Sequence, residues 1–412
     1  MFMRKFLLAA LLVGAANVAM AQTVTFGPYD ELEEWGDYSG FEAYDGSAWE
    51  CVPFNFYYTN SGTQLLYLKD ELADMAGKDI TAIAFKWYCE GAYIIPNPHV
   101  TVYITETNQN AFYKNPDTGC YRYFDVSRTE KAFEDDIEFD GYFYDCFVGD
   151  EKVITLSRPF HYSGENNLVI TILGEGIDEC TSGGFYMNFF ATDLENRALT
   201  AASDKKPLSE ILAGDLYAEK NSQSTINMPV HQLSYEDGTA PDWTWTSYVP
   251  KFDEDLNING FEAYKVKGFS TDGSAALVER VLSAKAGEPL VLRYKVEASV
   301  ALSESAKAQE DNILQVSDGT VKGDGTVYAL SKSDGVVAFR KVANGVSVPE
   351  GKVYLVSEQN VNDQIAFDGS TNSIAGVENA QPTDGAWYTL SGQRVSQPTR
   401  GLYIHNGKKV VK

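Results

Sequence analysis

Basic residues, histidines and cysteines are all scarce in this 412-residue chain, and each shortage narrows the function. Lys and Arg number 33 against 58 Asp and Glu, a formal charge of -25. A field of that sign repels nucleic acid and anionic membrane surfaces, so neither is expected as a partner. The four histidines, His99, His161, His231 and His405, stand far apart, and the H-E-x-x-H pattern of zinc hydrolases is missing. The five cysteines, Cys51, Cys89, Cys120, Cys146 and Cys180, all fall in the first half without a C-x2-C pair. Their spacing matches no zinc site. In an oxidising exterior they allow up to two bridges with one thiol left over, and their partners stay open. No G-x-S-x-G elbow, Walker A loop or dinucleotide fingerprint occurs, and Gly323-Asp324-Gly325 is an isolated turn. Past the N-terminus no run approaches the roughly 18 apolar residues of a spanning helix.

What is present begins with MFMRKFLLAALLVGAANVAMAQ. Arg4 and Lys5 open it, an apolar stretch starts at Phe6, and Ala19-Met20-Ala21 precede Gln22. This is the three-part pattern of a secretory signal peptide, so residues 1–21 are expected to be cut off on export. Gly14 and Asn17 interrupt the apolar stretch, which makes it a poor membrane span. The remaining chain would hold 31 basic and 58 acidic residues, a charge of -27. At roughly 390 residues it exceeds one ordinary core, and two to three domains are expected.

The pattern along the chain is all-β. Tyr (25) and Phe (22) are abundant, and short alternating or β-branched runs are parted by Gly, Asn and Asp turns. Strands are predicted at 80–88, 100–105, 153–156, 168–172 and 185–190, with one short helix at 69–76 carrying carboxylates in its first turn. This spacing predicts a β-sandwich of jelly-roll type over 22–238. A second, smaller β domain is predicted over 239–361, with strands at 289–294, 327–330, 336–342 and 353–356. A linker at 362–385 leads to the tail, 386–412. From Trp387 onward the tail has five basic residues (Arg394, Arg400, Lys408, Lys409, Lys412) and no carboxylate side chain. Gly392 and Gly401 supply turns, and Asn406-Gly407 before Lys408-Lys409-Val410-Val411 signals a β-hairpin. A basic hairpin on an acidic body can act as a separate address, or dock as a lysine-protected edge strand.

Three stretches resemble known families. The segments at 61–88 and 100–107, with ITLSRPFHYSGENNLVITI (154–172), are similar to the β-sandwich domain recurring in surface and exported proteins of Bacteroidetes. GFEAYKVKGF, AGEPLVLR and VAFRKVANGVSVPEGKVYLV, within 260–356, resemble a small β-rich domain common near the C-terminus of the same proteins. The tail, through Leu390-Ser391-Gly392-Gln393-Arg394-Val395 and Gly401-Leu402-Tyr403-Ile404, resembles the sorting-signal family linked to type IX secretion, with Thr389 where that family usually has Asn. The resemblance implies a secretion-machinery partner for the tail, carried by Gly392, Arg394, Gly401, Tyr403, Lys408 and Lys409, and no reaction.

Candidate chemistry is therefore sparse, and no catalytic residue is assigned. The acidic run holding Asp135, Asp136, Glu138 and Asp140 offers oxygens for Ca²⁺ without the alternating spacing of a calcium loop; a solvated loop is the plainer reading. Trp243-Thr244-Trp245 places two indoles on one side if the segment is a strand, as a sugar platform or as core. A Cys89–His161 pair has no support beyond coincidence. The expected function is an exported or cell-surface binding or adhesion protein, with a protein or glycan ligand. The alternatives are a carbohydrate-binding protein using the tryptophans, and a hydrolase using carboxylates such as Asp135 and Glu138. No cofactor is expected, Ca²⁺ apart.

Overall fold

The computed structural model describes residues 22–30, 53–54, 58–90, 97–138, 150–176, 186–189, 192, 194–205, 225–226, 228–358 and 361–367, with four tail strands between 387 and 411. The fold is all-β. Two compact units divide the chain out of sequence order. One holds Met1–Thr244, Phe252–Glu262 and Arg293–Ala306; the other holds Trp245–Lys251, Ala263–Leu292 and Lys307–Lys412.

The first unit is built on strands β1 (Gln22–Phe26), β2 (Asn60–Tyr67), β3 (Lys78–Glu90), β4 (His99–Thr107), β5 (Lys131–Asp136), β6 (Asp150–Tyr162), β7 (Asn167–Glu175), β8 (Tyr186–Phe189), β9 (Ala198–Ser203), β10 (Thr225–Ile226) and β11 (His231–Asp237). One sheet runs β1-β11-β3-β6, with β8 beside β3. The other runs β10-β9-β2-β7-β4, and β5 and the parallel strand Ala298–Ser299 both pair with β4. A single core of Leu65, Ile80, Ile83, Phe85, Ile104, Leu168, Ile170 and Leu233, among others, lies between the sheets. Each such side chain contributes roughly 1.5–3 kcal/mol on leaving water.

Local sequence explains the register. In β3 the strict alternation would turn Ile80 and Ile83 to opposite faces. Against β11 a bulge at Thr81 inserts one residue in β3, so Ile80, Ile83 and Phe85 all reach the core. In β7 the apolar run does not alternate, because its sheet is covered on both sides. Leu168, Ile170 and Ile172 face the sandwich core, while Val169 and Leu173 meet Phe112, Tyr123, Phe124 and Val126. The covering segment is fixed by the buried Gln64. Its Oε1 accepts from the Phe124 N–H at 2.8 Å and its Nε2 donates to Phe124 O at 3.0 Å.

The short helix forms over Lys69–Met75 as 3-10 turns kinked at Leu72, rather than as a regular helix. Seven residues repay α-nucleation poorly. The element is held from outside: Leu72 and Met75 are buried, Glu71 accepts from the Leu68 N–H at 2.7 Å, and Arg197 grips both Glu71 oxygens at 2.7 and 3.0 Å.

The second unit packs Tyr264, Val266, Val278, Val291, Tyr328, Phe339, Leu355 and Ile365 against one face of its sheet. Strands Ala275–Val281, Gln364–Phe367, Val336–Lys341, Val327–Ser333 and Val353–Val356 neighbour one another in that order. A satellite cluster of Val327, Val348 and Tyr354 lies apart from this core. In the tail, Leu402–His405 and Lys408–Val411 pair antiparallel, as the Asn-Gly signal predicts, and Trp387–Tyr388 and Arg394–Val395 extend the hairpin to four strands.

Candidate functional site

The residues that carry proton chemistry in the first unit are engaged with the fold. His231, the first residue of β11, is fully buried, and its ring stacks on Phe26 at 4.8 Å. Its Nδ1 lies 2.7 Å from Pro229 O, an acceptor only, so Nδ1 carries the proton. Nε2 then accepts from the Tyr67 hydroxyl at 2.7 Å. Burial pushes this imidazole down to about 4, so it is neutral at physiological pH. His161 meets Asp79 at 2.7 Å on the neighbouring strand β3, not a cysteine. The side chains of Cys51, Cys89, Cys146 and Cys180 lie outside the described residues, and Cys120 is a free thiol.

The S-G-E-N-N stretch that carries the family resemblance is a clamped turn. Glu106, buried on β4, accepts from the Ser163 N–H and hydroxyl, both at 2.7 Å, and from Asn166 Nδ2 at 2.6 Å. Asn166 also donates to Asn259 O at 3.0 Å, while Asn167 donates to Gln109 O at 2.7 Å. Burial raises the Glu106 carboxyl, against the lowering by these donors. Gly164 stands at φ +77°, where a Cβ would come within 2.3 Å of Ala76 Cβ. Packing therefore explains the motif.

The acidic run does not gather around one point. His99 Nδ1 meets Asp136 Oδ1 at 2.8 Å, and Glu134 pairs with Lys131. That Asp136 hydrogen bond raises the His99 pKa. Asp135 caps the following Asp136 N–H at 2.8 Å. Glu138 is exposed, and Asp140 lies outside the described residues. Among the described residues no group of three or more His, Cys, Asp or Glu side chains is placed to hold a metal ion.

The two tryptophans part company. The strand starts at Thr244, so Trp243 precedes it and belongs to the first unit, whereas Trp245 belongs to the second. Trp245 stacks on Phe367 at 3.9 Å and packs beside Tyr264 at 5.3 Å, as part of the second core. Trp243 is 38% exposed, the one exposed aromatic among the described residues. The Arg293 guanidinium carbon lies 4.3 Å from its ring centre and Lys295 Nζ 5.7 Å away. The i, i+2 spacing of Arg293 and Lys295 is visible in the sequence, but the strand ends at Tyr294, and their meeting with Trp243, some fifty residues away, was not readable.

Of the tail residues, Arg394 is in register with Tyr388, Tyr403 with Val410, Lys408 with His405 and Lys409 with Ile404. Gly392, Gly401, residues 1–21 and most of the expected linker lie outside the described residues. No helix among the described residues is long and apolar enough to cross a membrane. No protein-family model, no curated protein and no solved structure matches this chain.

Proposed function

We propose that this protein is exported and works at the cell surface as a binding or adhesion protein. The observation that carries the reading is Trp243, an exposed indole with two cations against it, in a unit whose other described aromatics are buried or half-buried. An open aromatic on a rigid β frame suits ligand capture, because little conformational entropy is lost on contact. The export half of the reading rests on the residues before Gln22 and on the tail. In this reading the basic tail engages the secretion machinery, and the acidic body stays soluble beside it.

Cell fractionation with intact-mass measurement tests the export half. The chain is expected outside the cytoplasm without residues 1–21, and removing 386–412 should keep it inside the cell envelope. A cytoplasmic chain with its first 21 residues attached refutes the proposal. The same Trp243 favours a glycan over a protein as the ligand, since an indole face takes the C–H face of a sugar ring. A hydrolytic reading would need two facing carboxylates. Asp135 spends an oxygen on its own strand, which weighs against it as one of them.

A further inference from the structure

We infer that Trp243, Arg293 and Lys295 form a binding site for an acidic sugar, a pyranose bearing a carboxylate. The inference rests on the binding-protein reading above and names its ligand class.

The three side chains come from two stretches of the first unit, Trp243 from one and Arg293 and Lys295 from the other. Lys295 N–H donates to Gly260 O at 2.9 Å, which ties this segment to the turn before the Phe261–Phe269 strand. Gly260 stands at φ +77°, and a Cβ there would come within 3.4 Å of Lys295 Cε and 3.1 Å of Val296 Cγ1. The lysine stem thus passes close to Gly260, and its Nζ ends 5.7 Å from the Trp243 ring centre.

Charge then selects the ligand. Glu262 takes one terminal nitrogen of Arg293 at 3.4 Å, the long end of the hydrogen-bond range. A guanidinium has five donors, and the rest of this one's have no protein acceptor among the described residues. Lys295 has no carboxylate within ion-pair distance among the described residues. Both are incompletely neutralised cations on a chain of net charge -25. Trp243 is 38% exposed, and an exposed cation–π contact is worth little by itself, so the indole can exchange part of it for a ligand at small cost. An acidic sugar matches the arrangement: its C–H face covers the indole, and its carboxylate receives charge-assisted hydrogen bonds from Lys295 and Arg293. Nucleic acid matches poorly, because many phosphates would meet the acidic body for each one held by these two cations.

The test is calorimetric titration of the exported full-length protein with a galacturonic acid trisaccharide and with its methyl ester, which is neutral but keeps the ring faces. The acid form should bind about tenfold more tightly than the ester, the worth of one charge-assisted contact. Trp243→Ala should lose both ligands, and Lys295→Gln should narrow the gap between acid and ester, leaving only the share held by Arg293. The Lys295→Gln comparison is a ratio on one folded protein, so it stays decisive even if Trp243→Ala is unstable. Failure of the wild type to bind the acid form, equal affinity for acid and ester, or full binding by Trp243→Ala overturns the inference. The bulk charge opposes the expected preference, so that preference can only come from local cations. A negative titration leaves the fractionation result untouched, which separates failure of this site from failure of the export reading.

Discussion

Lowering the pH should loosen the first unit through one side chain, His231. The imidazole titrates near 6.5 in an unfolded chain and is pushed down to about 4 where it lies between Phe26, Phe85 and Tyr67. The unfolded state therefore takes up the proton first as pH falls, and stability is lost between about 6.5 and about 4. At about 1.4 kcal/mol per unit the full window is worth about 3 kcal/mol, of which about 2 kcal/mol is gone by pH 5. Two other groups act in the opposite sense. His99, raised by Asp136, contributes stability at low pH that fades as pH rises, and the raised carboxyl of Glu106 favours the folded state as it protonates. Comparison with His231→Gln cancels both, because the variant keeps them and lacks only the titrating ring. The assay is hydrogen exchange of β11 amides, corrected for intrinsic rate, from pH 8 to pH 4.5. The wild type should lose protection with falling pH more steeply than the variant, by about 2 kcal/mol at pH 5. The His231 ring, followed by NMR in the folded state, should show no titration midpoint above pH 5. Parallel pH profiles for the two proteins, or a His231 midpoint near 6.5, would refute the reasoning.

Gly164→Ala should lower stability by about 2–4 kcal/mol, read as a drop in thermal midpoint, since it adds a positive-φ penalty to a backbone collision with Ala76. Glu106→Ala should cost about 2–4 kcal/mol by orphaning the donors on Ser163 and Asn166, and Glu106→Gln less than half of that, both measured by urea denaturation. Arg197→Lys should cost about 1 kcal/mol and speed proteolysis near the Lys69–Met75 turns, because a lysine cannot hold both Glu71 oxygens. Trp245→Ala should destabilise the second unit by about 3 kcal/mol in thermal unfolding, while leaving Trp243-dependent sugar binding unchanged.

The all-β class was legible because the period-2 pattern is a local property, and sheets are assembled from local alternation. The strand expected at 80–88 formed as β3, although its inward set depends on a bulge that no pattern of apolar residues announces. Residues 168–172 read as a core strand for the right reason, a continuous apolar run, yet what makes both faces apolar is the 112–126 segment held by Gln64. Such a clamp spans sixty residues and leaves no trace in composition. The division into units shows the same limit. Segments 252–262 and 293–306 belong with the first unit although they are flanked by the second, and a linear reading has no means of folding a chain back into an earlier domain.

The tryptophan pair shows how the candidate site depended on a boundary. Placing Trp243 and Trp245 on one side requires both to lie within one strand, and the strand begins between them, at Thr244. Outside the ladder a residue is released from the pleat, and its direction is set by whatever it can pack against. For Trp243 that is the pair of cations Arg293, in the strand Leu290–Tyr294, and Lys295, just past its end. The turn motif argues the converse. Ser163, Gly164, Asn166 and Asn167 are the polar and glycine residues that a sequence reader is inclined to assign to a ligand, and three of them are spent on Glu106 and on the backbone at Gln109 and Asn259. A polar group with its hydrogen bonds satisfied inside the protein has little left for a partner, whereas a cation resting on an exposed indole keeps nearly all of its capacity. Unsatisfied capacity at the surface, rather than polarity as such, therefore marks where this protein can hold something else.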